Sequence, residues 1–158
     1  RPLIETGADR LLARVKEMQW FVQIHCQKDD LTEAAPILRK AGVRVMIDHF
    51  GRPDKTWSNL TALCAVAKYP NVALKATGAP GYSAEPYPHR DIHGHIRKLY
   101  DAFGPERMFW GTDITRMPIT WKQCVTMFTE ELSWLSAKDK ELIMGGALCK
   151  WLGWKLSA

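Results

Sequence analysis

At 158 residues the chain has the length of one ordinary domain, enough to bury a real core. Hydrophobic residues at 46% and charged residues at 25% exclude a disordered or collagen-like chain. The net charge of +5 is spread out, and its densest clusters (Arg97 with Lys98, Lys138 with Lys140) are interrupted by acidic or apolar neighbours, which argues against a nucleic-acid binder. No apolar run approaches the roughly 18 residues that cross a bilayer, so no membrane partner is expected.

The chain opens on Arg1-Pro2, with neither an initiator methionine nor a charged-then-apolar leader, and is expected to be cut from a longer protein. Cys26, Cys64, Cys124 and Cys149 are far apart and form no Cys-x-x-Cys pair. That usage suits a reducing cytoplasm, with cysteines acting as small hydrophobes.

In chain order, residues 6–18 repeat at helical spacing from Thr6 through Leu11, Leu12, Val15 and Met18. Residues 20–24 are a β-branched and aromatic strand ending at His25. Asp29 or Asp30 caps a second helix carrying Leu31, Ala34, Ala35 and Leu38 and stopped by Gly42; Pro36 inside it predicts an irregular first turn. Residues 43–47 form the second strand, and a helix follows over about 58–68. The third strand is 72–76, and the two glycines and three prolines of 78–88 predict a long irregular loop. A helix over about 89–103, a fourth strand at 108–110 and closing helices near 120–135 and 137–152 complete the pattern.

Strands alternating with helices predict parallel pairing and right-handed crossovers, and near-continuous apolar strands predict burial on both faces. An open doubly wound sheet and part of a closed (β/α)₈ barrel both satisfy this spacing. The glycine-rich nucleotide signatures of the open sheet are absent.

In either architecture sites form at the C-terminal ends of the strands. Those ends carry His25, His49, Lys75 and Asp113. Imidazole and carboxylate ligands suit zinc or a similar divalent ion, and a carboxylate beside a metal-held water takes its proton. Against this stands the ordinary role of each residue: a strand-end histidine satisfied in the core, Asp113 as a cap, Lys75 as a snorkelling lysine. Arg52 and Arg116 follow strand ends and are candidate carboxylate binders through a bidentate fork; Tyr82, in the long loop, is a candidate pocket residue.

Gln23-Ile24-His25, Ile47-Asp48-His49-Phe50-Gly51-Arg52-Pro53 and Phe109-Trp110-Gly111-Thr112-Asp113 together resemble the amidohydrolase superfamily, in the branch holding lactonases and non-oxidative decarboxylases. Residues 145–154 resemble that branch's C-terminal helix. The resemblance covers essentially the whole chain. It implies an α/β fold, the C-terminal half (strands five to eight) of a (β/α)₈ TIM barrel, with residues 1–158 a single partial domain. It implies metal ligands at His25, His49 and Asp113, with Asp113 also the catalytic base and His49 orienting water and substrate. It leaves Arg52, Arg116, Lys75 and Tyr82 as substrate contacts and makes the cofactor a divalent metal, zinc, or none.

The implied activity is hydrolysis of a small cyclic ester bearing a carboxylate. The alternatives are non-oxidative decarboxylation on the same scaffold, or a catalytically inactive fragment. The family's first-strand His-x-His is missing: the one such pair here, His93-Gly94-His95, lies at a helix start after the third strand, and His89, His93 and His95 read as an exposed loop-helix cluster. The missing N-terminal half of the barrel is therefore an expected partner, alongside a small-molecule substrate and a homo-oligomeric contact.

A half barrel presents two apolar strand edges, which invite pairing. The isolated chain is thus expected to associate or precipitate. Sedimentation with dye binding checks this, and a monomer with a sharp cooperative melt and no exposed apolar surface contradicts it.

Overall fold

A computed structural model of the chain describes residues 7–26 and 28–155. The element order is α1 (Ala8–Glu17), β1 (Phe21–Ile24), α2 (Lys28–Ala41), β2 (Arg44–Ile47), α3 (Leu60–Val66), β3 (Val72–Thr77), α4 (Arg90–Phe103), β4 (Met108–Gly111), α5 (Trp121–Thr126), α6 (Ala137–Glu141) and α7 (Ala147–Leu152). Thr6, and the side chains of Asp29 and Leu38, lie outside the described residues. α2 runs unbroken through Pro36, where an irregular first turn was expected. The closing helices are interrupted instead: five-residue π-type turns, Met127–Glu131 and Leu142–Gly146, extend α5 and join α6 to α7. Gly145, at φ 163°, lies within the second of them.

The four strands pair in parallel in the order β1-β2-β3-β4. A doubly wound sheet reverses its strand order part-way; this sheet does not, so its winding is that of a barrel. Alternation along each strand sorts the side chains onto two faces. Ile24, Val45, Ile47, Val72, Leu74, Ala76 and Met108 join the main core with Leu31, Leu63, Ile96 and Leu99 from the helices. Met46, Ala73 and Phe109 turn to the other face, where Ala147, Leu148 and Trp151 cover them. The C-terminal helix therefore plugs one end of the inner face, and the strands' C-terminal ends remain for a site.

β1 is open on one side and β4 on the other, among the described residues. Trp20, 60% exposed, lies beside β1, and Leu11 and Met18 of the preceding segment are exposed too. On β4 Phe109 packs on Trp151 at 5.6 Å between ring centres, which covers that strand's inner face. No helix among the described residues is long and apolar enough to cross a membrane.

Arg107 fixes the entry to β3. Its Nη1 donates to the carbonyls of Ala67, Tyr69 and Val72 at 2.9, 3.0 and 2.9 Å, and its guanidinium lies over the Phe103 ring. Arg107→Met leaves three carbonyls without that donor and is expected to cost about 1.5–3 kcal/mol, the range for hydrogen bonds to charged groups. Urea unfolding of the two proteins measures the difference.

Candidate active site

The inner-face positions of the strands converge beyond their C-terminal ends. Gln23 and His25 come from β1 and its end, Asp48 and His49 follow β2, Lys75 and Thr77 belong to β3, and Asp113 follows β4. Asp48 sits at the centre and is 5% exposed. Lys75 Nζ lies 2.7 Å from its Oδ1, Gln23 Nε2 donates to its Oδ2 at 3.1 Å, and His25 Nδ1 lies 3.5 Å from the same oxygen. Burial pushes the Asp48 carboxyl up, but the Lys75 hydrogen bond and charge and the Gln23 amide outweigh it, and Asp48 titrates below its ordinary value.

His49 stands over this pair. Its Nδ1 shares a 2.6 Å hydrogen bond with Thr77 Oγ1 and lies 3.8 Å from Asp113 Oδ2. The His25 and His49 rings meet edge to face at 5.7 Å. Burial pulls the His49 imidazole below its ordinary value, against the raising influence of Asp48 and Asp113, so it is held toward the neutral form.

The backbone that presents His49 is unusual. His49, Phe50, Gly51 and Arg52 carry φ of 47°, 53°, 64° and 51°, four successive left-handed residues of which only one is glycine. Such conformations cost of order 1–3 kcal/mol each outside glycine and persist where the surroundings over-determine them. Here Asn59 Nδ2 donates to the carbonyls of Phe50 and Gly51, both at 3.0 Å. Phe50 is fully buried against Trp57, and a Cβ on Gly51 would press on Asn59 and Leu63 at 3.1 Å. Asp113 is left-handed as well, at φ 53°.

Arg52 is half-buried and Arg116 exposed. Both lie close enough to the Tyr82 hydroxyl to act on its titration: burial raises the phenol, Arg116 and Arg52 pull it down, and Asp113 and Asp48 push it up. Tyr82 is thus within electrostatic reach of Arg52, Arg116, Asp48 and Asp113. Lys75 is turned onto Asp48, not toward open space.

His25, Asp48 and His49 each offer one donor atom, all within 4.8 Å of one another. Two imidazoles and a carboxylate are a donor set suited to zinc. Asp48 is the carboxylate of this three-residue group; Asp113, the carboxylate ligand expected from the sequence, lies 3.8 Å from His49 Nδ1 and is not part of it. Asp48, Gln23 and Thr77 escaped the sequence reading. The signal available was alternation: counting by twos from Met46 and Ala73, inner-face residues, lands on Asp48, Lys75 and Thr77.

The histidines after β3 are not an exposed cluster. His89 is buried and its Nδ1 meets the Glu85 carbonyl at 2.8 Å, His93 Nε2 meets the Pro88 carbonyl at 2.8 Å, and His95 stacks on Trp57 at 5.3 Å. They brace the long loop and the wall behind His49.

Gly111 faces Thr77 across the β3–β4 pair, and a Cβ there would lie 2.8 Å from Thr77 Cγ2. Gly111→Ala is therefore expected to push Thr77 away from His49 at an overpacking cost of about 1–3 kcal/mol. Adding Thr77→Ser removes the clashing methyl and keeps the hydroxyl, so the double variant should recover much of the loss in urea unfolding. A double variant no more stable than the single one contradicts this contact.

The amidohydrolase family model matches residues 1–148. The chain is 29% identical over 109 residues to a 4-sulfomuconolactone hydrolase of Hydrogenophaga intermedia, covering 66% of this chain and 36% of that protein. It is 30% identical over 124 residues to a 2-pyrone-4,6-dicarboxylate hydrolase of Comamonas testosteroni, covering 68% and 40%. The crystal structure of an amidohydrolase from Burkholderia multivorans with bound zinc superposes with a TM-score of 0.84 at 18% identity, over 97% of this chain and 59% of that one, a likeness of fold. The chain thus spans well under half the length of the curated relatives it matches. Its fold is part of an amidohydrolase TIM barrel, and the chain belongs to the amidohydrolase family.

Proposed function

We propose that the polypeptide carrying this chain hydrolyses a small, carboxylate-bearing cyclic ester. The observation that carries the reading is the joint placement, at one set of strand ends, of a polar centre (His25, Asp48, His49, Asp113) and a cationic mouth (Arg52, Arg116) beside Tyr82. Two curated relatives are named as hydrolases of a lactone and a pyrone, which favours water attack over the decarboxylation that the scaffold also suggests.

In this reading Arg52 and Arg116 take the substrate carboxylate through charge-assisted hydrogen bonds, with the Tyr82 hydroxyl beside them. Asp113 is the general base: it takes the proton of the attacking water and returns it to the ring oxygen as the ester opens. With no ion bound, His49, kept toward neutral and aligned by Thr77, orients that water through its other ring nitrogen. His25, Asp48 and His49 would hold a divalent ion, zinc by donor type. When bound, it would lower the pKa of a water and polarise the ester carbonyl.

Further chain is needed to close the sheet. We take the remainder of the barrel to pair with the open edges of both β1, beside the exposed Trp20, and β4, so that this chain alone is inactive. The four cysteines are free thiols, which supports a place in the reducing cytoplasm.

Asp113→Asn in the intact polypeptide is expected to lower turnover of a carboxylated lactone by about 10²–10⁴, the usual contribution of a positioned base. The assay follows the ring-opened acid. Activity within about threefold of wild type excludes Asp113 as the base, and release of carbon dioxide in place of a ring-opened acid turns the reading to decarboxylation.

A further inference from the structure

The His25–Asp48–His49 cluster already has a cation on it. Lys75 Nζ lies 2.7 Å from Asp48 Oδ1, while Gln23 and His25 sit at 3.1 and 3.5 Å from Oδ2. A carboxylate offers about four lone-pair positions. Three neighbours now compete for those of Asp48, the one carboxylate in the group.

Lys75 arrives from the interior of β3, whose backbone is held between β2 and β4 by the ladders Ile47↔Leu74 and Lys75↔Phe109. Its position is thus fixed at the Cα. Its four-carbon stem is not fixed, and among the described residues Asp48 is the only carboxylate within ion-pair distance of the ammonium.

We propose that Lys75 controls metal occupancy of this cluster: seated on Asp48 it serves as the resident cation, and a divalent ion enters only by displacing it. Three effects act together. The ammonium cancels the Asp48 charge that would attract a dication, and it repels the dication directly at short range in a half-dry site. It also sits against one of the two oxygens through which Asp48 could act as a ligand. Displacement is feasible because a lysine is a compact charge on a flexible stem, whereas a planar guanidinium forked onto the carboxylate would be harder to move. The proposal rests on the preceding reading of this cluster as a metal-capable site, and it makes Lys75 a residue that sets metal affinity, not one that contacts substrate.

Zinc affinity in the intact polypeptide, measured by competition with a chromophoric chelator at fixed pH, tests it. Lys75→Met and Lys75→Gln are both made, so that the outcome does not hang on one variant folding, and circular dichroism checks each. Both are expected to bind zinc about tenfold or more tightly than wild type, through the lost repulsion. Lys75→Arg keeps the charge and should not tighten binding. Adding Asp48→Asn to Lys75→Met should abolish the gain, as expected for two groups that act on each other.

Zinc affinities of the Met and Gln variants equal to or weaker than wild type overturn the proposal, and so does an Arg variant that gains as much as they do. Because the readout is metal binding, failure of the unsubstituted polypeptide to open a lactone would count against the hydrolase reading alone. It would leave the zinc comparison standing.

Discussion

A buried carboxylate at the end of β2 organises the centre of the molecule. Asp48 has lost most of its hydration, which is tolerable only if hydrogen-bond donors and a counter-charge replace the water. Those replacements come from different strands: Gln23 from β1 and Lys75 from β3, one on each side, with His25 beyond the end of β1. Their convergence requires the parallel register that pairs Gln23 with Met46 and Ile47 with Leu74. A slip of one residue would turn Lys75 to the helix layer and leave Asp48 buried and bare.

The second constraint is the left-handed turn over 49–52. Without the Asn59 amide and the Phe50–Trp57 packing, three non-glycine residues at positive φ would relax, and His49 would leave the line between Thr77 and Asp113. Strain held by packing behind the site is a common way to fix a reactive side chain. It also explains the buried aromatic wall. Trp57 touches Phe50, Tyr82 and His95, so the long loop after β3 and the turn after β2 are braced by one ring.

Cationic groups occupy two distinct roles around this centre. Lys75 is inside, neutralising Asp48; Arg52 and Arg116 are at the mouth, near Tyr82. Under the proposed function the inner cation would bear on metal binding at the cluster, and the outer pair on the substrate carboxylate. This division follows from chain position: Lys75 lies within a strand, while Arg52 and Arg116 follow strand ends and reach outward.

Hydrophobic periodicity and turn residues determined the four strands, the intervening helices and their parallel pairing, because those depend on local alternation and on glycine and proline punctuation. The resemblance carried by the segments at His25, His49 and Asp113 supplied the barrel, which spacing had left open against an open sheet. The π-type turns in the closing helices carry no such local signature, and α2 tolerates Pro36 that local rules would avoid. At the site, the strand-end residues were legible one at a time. Which of them meet was not, since that depends on register between strands far apart in sequence. Only the tertiary structure set Asp48 between Gln23 and Lys75, tied His49 to Thr77, and gave Asp48 the third place in the histidine cluster, because a buried charge finds its partners across the sheet and not along the chain.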